Sequence, residues 1–325
     1  MTGKEFKENF DETVGEVQRS PTVFIHQSQR EENRNHRGLS TAHLGLLMVA
    51  PVLIYLLFIQ GYPVISAIFT SFTDKRIGVP GNFIGFENYI ELIKDPIFRL
   101  ALRNTFVITI ISVTAKLFFG LVMALVLHQD LVFKNLWRAV LFLPWTLPTI
   151  VTILIFGYMY SSTGGILNVM LRQTGLLQRP INWLGTPLAA TISVIIVNVW
   201  RGTPFFGISL LGGLQSIPEE LYDAAKIDGA SQIQRFRYVT LSGIRDIILL
   251  VTMVSTIWTL NDFQIIWVLT RGGPANSTQV LSTLTYSMAF LNLDLGKAIA
   301  VSVFTVPLLL VLVIWTTQTV LRREQ

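Results

Sequence analysis

The chain has 325 residues, 51% of them hydrophobic and only 14% charged, where soluble domains carry about a quarter charged residues; a soluble enzyme is excluded. It has no cysteine, which also excludes a disulfide framework, a thiol nucleophile, zinc fingers and cysteine-ligated clusters. The formal net charge of +5 is scattered among short connections between apolar blocks, a distribution that suits membrane flanks and not nucleic acid.

Residues 1–40 hold no apolar block and no short hydrophobic core near Met1, so they read as a polar cytoplasmic tail whose composition suits disorder. Residues 41–325 read as one transmembrane domain. A spanning helix needs about 20 mostly apolar residues. Six stretches qualify: Leu44 to Ser71, Thr105 to His128, Arg138 to Tyr160, Leu188 to Leu214, Ile247 to Thr270 and Ala298 to Leu321. Unbroken apolar runs do not match the alternation of barrel strands, so each is expected to be a helix. Pro51, Pro63, Pro144, Pro148, Gly202 and Pro204 predict kinks within them. An even number of spans puts both termini on one face. Lysine and arginine are in excess on that face, so both termini are placed in the cytoplasm of a multi-pass cell-membrane protein.

The connection over residues 216–243 has helical punctuation. Ser216 and Glu219 have capping-box spacing, Pro218 suits a first helical turn, and Gly229 suits the left-handed residue that ends a helix. A short helix to about Ile227, a turn at Asp228 and Gly229, and a second helix through Phe236 follow. Leu221, Ala224, Ala225 and Phe236 form a narrow apolar ridge that looks built to press into a partner.

The fifth apolar block carries Ser255, Trp258, Thr259 and Asp262 at i, i+3, i+4 and i+7, one face of a helix. An aromatic ring beside hydroxyls and a carboxylate suits a sugar, which lays its C–H face on the ring and donates hydroxyl hydrogens to acceptors. Asp262 has an alternative role in a pair with Arg201, and Lys116 is read as a structural residue that snorkels or faces a subunit interface. His26, His36, His43 and His128 have no metal-ligand spacing, so no metal is expected, and no catalytic constellation stands out. There is no phosphate-binding G-x-x-x-x-G-K-[ST] loop.

Asp223-Ala224-Ala225, Asp228-Gly229-Ala230 and Phe236 resemble the EAA loop of ATP-binding-cassette (ABC) importer permeases. Upstream, Val197 to Trp200, Gly202, Pro204 and Ile217 to Tyr222, and downstream, Leu269 to Pro274 with Ser277-Thr278, are similar to the carbohydrate-uptake group, the branch of the larger maltose permease and first glycerol-3-phosphate permease subunits. The resemblance covers roughly Leu44 to Leu321. It departs at Asp223, where the family usually has glutamate, and at Ser242, where it usually has proline.

The resemblance implies an all-α integral membrane protein with six transmembrane helices in the type I importer, maltose-permease-like fold. It implies that Glu219, Glu220, Tyr222, Asp223, Ala224, Ala225, Asp228, Gly229, Ala230 and Phe236 form the coupling helix that docks in a cytoplasmic ATPase. It also implies that Trp200, Gly202 and Phe205 join Ser255, Trp258, Thr259 and Asp262 along the sugar pathway. In the larger maltose subunit the positions of Thr259 and Asp262 are both asparagine. Expected partners are a second homologous permease, two ATPase subunits that bind ATP and magnesium, an extracytoplasmic solute-binding protein, membrane lipid and a sugar. Glycerophosphodiester or polyamine cargo, and a stand-alone ion-coupled transporter, are the alternatives.

Overall fold

The computed structural model describes residues 41–176 and 178–321; the tail expected over residues 1–40 lies outside them. The chain divides into a unit ending at Ser66 and a second unit, Ala67–Gln325. Among the described residues the regular structure is helical, with only isolated bridges such as Thr73 to Phe83.

Helix α1 (Gly45–Ser71) is the first candidate span. Its Leu57–Gly61 turn widens to π geometry just before Pro63, which relieves a proline that has no N–H to give the preceding turn. The short α2 (Glu87–Lys94) leads into α3 (Pro96–His128). Helix α3 starts well before Thr105, because Asp95 caps it by accepting from the Ile97 amide at 2.7 Å, with Pro96 at the first position.

Helices α4 (Lys134–Thr146) and α5 (Thr149–Met159) meet at 90°. Leu147, held extended by the proline after it, makes the break. There follow α6 (Ile166–Gln173), α7 (Pro187–Gln215), α8 (Glu219–Ile227), α9 (Gln232–Gly243), α10 (Arg245–Leu260), α11 (Gln264–Leu269), α12 (Leu281–Leu291) and α13 (Leu295–Leu321). Helices α9 and α10 are bent by 62° to each other. Among the described residues four helices are long and apolar enough to cross a membrane alone, and up to six candidate spans result when each bent pair counts as one.

Two expectations are corrected. The third span is broken at Leu147 and Pro148 instead of merely kinked. The fifth is not one helix from Ile247 to Thr270: α10 ends at Leu260, where Asn261 Nδ2 turns back to donate to the Ile257 carbonyl at 2.9 Å, and the chain restarts as α11.

Helix α3 touches every layer of the second unit. Its Phe98 and Ala101 pack with Leu284 and Val301 of α12 and α13, its Ile108 with Ile153, Val197 and Ile265, and its Met123 and Leu127 with Phe206, Leu210 and Leu214 of α7. Higher up, Asn104 Nδ2 donates to the Asn276 and Gln279 carbonyls, both at 3.0 Å, and Thr105 Oγ1 accepts from the Leu281 amide at 2.9 Å. These bonds fasten to α3 the segment that follows the Arg271-Gly272-Gly273-Pro274 turn. The turn is closed internally by Thr278 Oγ1 donating to the Gly273 carbonyl at 2.8 Å.

Helices α3 and α7 approach closely because glycines stand at their crossing. A Cβ on Gly120 would run into Phe206 and come within 3.1 Å of the Gly207 amide nitrogen, and one on Gly207 would lie 2.5 Å from Met123 Sδ. In lipid, where apolar burial gives little drive, such backbone proximity supplies the packing. Gly120→Leu is therefore expected to cost about 1–3 kcal/mol through overpacking, read as a lowered unfolding midpoint in detergent. Gly212→Ala, where an added Cβ meets nothing within 4 Å, is expected to leave the midpoint unchanged.

Candidate functional site

A polar cavity of about 450 Å³ lies among α3, α4, α5, α7, α10 and the break before α11. Lys116 of α3 and Arg201 of α7 reach it from near the middle of their helices, and Asp262 from the break. Gly202 makes room for the lysine: a Cβ there would sit 2.6 Å from Lys116 Cε. Lys116, only 5% exposed, donates to Thr259 Oγ1 at 3.0 Å, and Thr259 in turn donates to the Ser255 carbonyl at 2.7 Å.

Asp262 does not pair with Arg201. Its Oδ2 accepts from Asn198 Nδ2 at 2.8 Å and its Oδ1 from the Ile265 amide at 3.3 Å, which also caps the start of α11. Arg201 instead lies over the Trp145 ring at 5.8 Å, and its Nε is buried without an acceptor. Trp145, Phe205 and Trp258 form an aromatic wall, with ring centroids 5.3 Å apart for Trp145 and Phe205 and 4.9 Å for Phe205 and Trp258.

Of the residues expected along the pathway, Gly202, Phe205, Ser255, Trp258, Thr259 and Asp262 border this one cavity. Trp200 does not. It packs edge-on against Phe156 at 5.2 Å and borders a separate apolar groove with Phe119 and Pro144. Two residues along a helix turn the side chain by about 200°, so a helix that aims Gly202 inward aims Trp200 away. Asp262 lies past the end of α10 and not on its face, yet it reaches the same space. Lys116, read from the sequence as a structural residue, also faces the cavity, and Asn198, Trp145 and Thr149 join it. The signal for Asn198 and Gly202 was their i, i+4 spacing on α7.

The connection over residues 216–243 is built as two short helices. Helix α8 ends in a Schellman motif: the Ala230 amide donates to the Ala225 carbonyl at 2.9 Å and the Gly229 amide to the Lys226 carbonyl at 3.0 Å, with Gly229 at φ +75°. Ser231 and Gln234 form the capping box of α9. The capping box expected from Ser216 and Glu219 does not form, because Ser216 sits at the end of α7 and spends its hydroxyl on the Gly213 carbonyl at 2.8 Å. Pro218 precedes α8 instead of lying in its first turn.

Tyr222 turns inward, its hydroxyl 3.0 Å from Thr240 Oγ1, and ties α8 to α9. Asp223 pairs with Lys226 at 2.8 Å on the open surface, a contact worth little in water. Glu219, Glu220, Ala224, Asp228 and Gly229 are exposed, while Ala225, Ala230 and Phe236 are half-buried. The ridge read from Leu221, Ala224, Ala225 and Phe236 omits its two most exposed apolar side chains, Ile227 at 86% and Ile233 at 79%. Helix α9 runs past Ser242 and stops at Gly243, where a Cβ would lie 2.7 Å from Ile217 Cδ1.

Residues 116–323 match the family of binding-protein-dependent transport system inner membrane components. The chain belongs to this family. It is 36% identical over 270 residues to the trehalose/maltose transport system permease of Thermococcus litoralis, covering 83% of this chain and 90% of that one. It is 37% identical over 267 residues to the sulfoquinovosyl glycerol transport system permease of Agrobacterium fabrum, covering 80% and 85%. Against the lactose transport system permease of Rhizobium radiobacter it is 34% identical over 249 residues, covering 76% and 83%. Its fold matches a chain of a bacterial ABC transporter involved in the import of the acidic polysaccharide alginate, with a TM-score of 0.73 at 23% identity, covering 92% of this chain and all of that one. The chain is thus an integral membrane transport component with the type I ABC importer permease fold.

The two tryptophans make contrasting tests. Trp258→Ala is expected to weaken cargo transport about two- to tenfold, as loss of a stacking platform worth about 0.5–1.5 kcal/mol would, whereas Trp200→Ala is expected to leave the transport rate unchanged.

Proposed function

We propose that the chain is the permease subunit of an ATP-driven sugar importer, forming half of the translocation pathway. The observation that carries this reading is the aromatic wall of Trp145, Phe205 and Trp258 facing the Thr259 hydroxyl, the Asp262 carboxylate and Asn198 inside one cavity. Stacked rings beside hydrogen-bonding groups suit a polyhydroxylated ring. The trehalose/maltose, lactose and sulfoquinovosyl glycerol permeases among its relatives support the same cargo class.

In this reading the chain pairs with a second, similar permease, and both termini lie in the cytoplasm. A solute-binding protein delivers sugar from outside, and two cytoplasmic ATPase subunits hold ATP and magnesium; this chain hydrolyses nothing itself. The ATPases grip α8 and the start of α9, with Ile227 and Ile233 beside the Gly229 turn as the exposed apolar contacts. Closure of the ATPases moves that loop, and α10, which follows α9 across a bend of 62°, carries Ser255, Trp258 and Thr259 with it. Motion at the loop thereby reaches the cavity wall along α9 and α10 and across the bend at Ile244, and the cavity opens outward to receive sugar. Hydrolysis returns it to the inward state.

Sugar-loaded binding protein is expected to raise the ATPase rate of the purified complex in lipid, and a rate indifferent to every loaded sugar contradicts the reading. Gly229→Asp is expected to abolish uptake while ATP hydrolysis continues, since a side chain at φ +75° distorts the turn at a cost of about 1–2 kcal/mol; normal uptake by that variant removes the loop from the coupling role. Asp262→Ala leaves the Asn198 and Ile265 donors without their acceptor, and uptake is expected to fall more than tenfold with the complex still assembled.

A further inference from the structure

The charges that face the cavity do not balance. Lys116 and Arg201 are cationic and Asp262 is the single carboxylate among the described residues around it. No ion pair joins them, unlike the pairs that Lys226 and Lys297 make elsewhere. Asp262 is held by an amide side chain and a backbone amide. The ammonium of Lys116 has only a hydroxyl as acceptor, and Arg201 Nε is buried with none. A charge near the middle of a membrane-crossing helix costs about 2.5–3.5 kcal/mol, so two such cations beside one occupied carboxylate leave a site short of an anion.

Asn198 adds a second deficit. It is 7% exposed, its Nδ2 is committed to Asp262, and its Oδ1 is buried with no donor. That geometry leaves an acceptor for a hydroxyl hydrogen close to two donors for an anionic oxygen, with Trp145 stacked under the guanidinium. A neutral saccharide would satisfy Asn198 and leave the excess positive charge of Lys116 and Arg201 over Asp262 unanswered. A polyamine would add positive charge where there is already an excess.

We infer that the preferred cargo is a saccharide bearing an anionic substituent, a carboxylate, sulfonate or phosphate ester, whose charged oxygens are bound by Lys116 and Arg201 while its ring lies on the aromatic wall and a hydroxyl donates to Asn198. This rests on the sugar-importer reading and narrows it. A cavity of about 450 Å³ fits a mono- or disaccharide unit and not a long chain all at once.

The test uses the assembled complex of both permeases and ATPases, titrated without the binding protein. The probes are neutral and acidic mono- and disaccharides matched ring for ring, glucose against glucuronate and glucose 6-phosphate among them, together with glycerophosphocholine. Quenching of tryptophan fluorescence reports binding, since Trp145 and Trp258 border the cavity. At least one acidic member is expected to bind at least tenfold more tightly than its neutral counterpart. Lys116→Met and Arg201→Gln are expected each to reduce that ratio to about threefold or less with little change for the neutral sugar, and Lys116→Arg to retain the preference. Co-elution of all subunits of each variant complex on size exclusion shows that it assembles.

Equal or tighter binding of the neutral members, or a ratio unmoved by both charge-removing variants, overturns the inference and leaves the sugar importer standing. Binding of glycerophosphocholine with no saccharide bound overturns both.

Discussion

Everything in the second unit depends on how closely α3 and α7 can approach. Gly120 and Gly207 remove the side chains that would hold the two helices apart, and Gly202, farther along the same contact, removes the one that would collide with Lys116. The same contact that packs the fold therefore also creates the site. Without Gly202 the lysine stem would have to leave the cavity wall, and without Gly120 and Gly207 the phenylalanine and leucine layer of Phe206, Leu210 and Leu214 could not close on Met123 and Leu127.

A buried cation needs such a built environment. Lys116 is tolerated because its methylenes lie along Gly202 and its ammonium meets the Thr259 hydroxyl. Thr259 belongs to α10, the helix that follows the α8–α9 loop. The cavity and the loop are thus joined by one short run of structure: the Gly229 turn, the capped helix α9, the bend at Ile244, and α10 up to its end at Leu260. That continuity gives a physical route by which a push at the loop becomes a change at the cavity, with the bend and the break at Asn261 as the places where backbone angles can shift.

Much of this was legible in the sequence, for identifiable reasons. The apolar blocks around Leu188 to Leu214 and Ala298 to Leu321 are long, and they became α7 and α13 almost residue for residue. Gly229 was legible because few residues other than glycine take a positive φ at a helix end. Asp95-Pro96 is an equally good start signal for α3, but Arg99 and Arg103 interrupt the apolar pattern that marks a span.

The rest depended on three-dimensional context. A proline in an apolar run is compatible with a mild kink or a right-angle break, and only the extended Leu147 separates the two at Pro148. Ser255, Trp258 and Thr259 followed helical periodicity into the cavity, while Asp262 arrived there from a loop that the periodicity did not foresee. Trp200 looked equivalent to Gly202 in one dimension and points the other way. Lys116 is a single charge in an apolar segment, and no one-dimensional pattern distinguishes a snorkelling lysine from one that Gly202, on another helix, admits to a cavity.

The claim that this cavity is the cargo pathway is open to one direct measurement, because the chain has no cysteine of its own. Ser255→Cys in the assembled complex, combined with a cysteine-free background in its partners, places a single thiol on the cavity wall, and Thr203→Cys places one on the apolar groove outside. The thiol at position 255 should react with a small charged methanethiosulfonate at a rate that changes when ATP is trapped and falls when cargo is present, while the thiol at position 203 shows no protection by cargo. Labelling at position 255 that ignores both ATP and cargo would contradict the assignment of this cavity to transport.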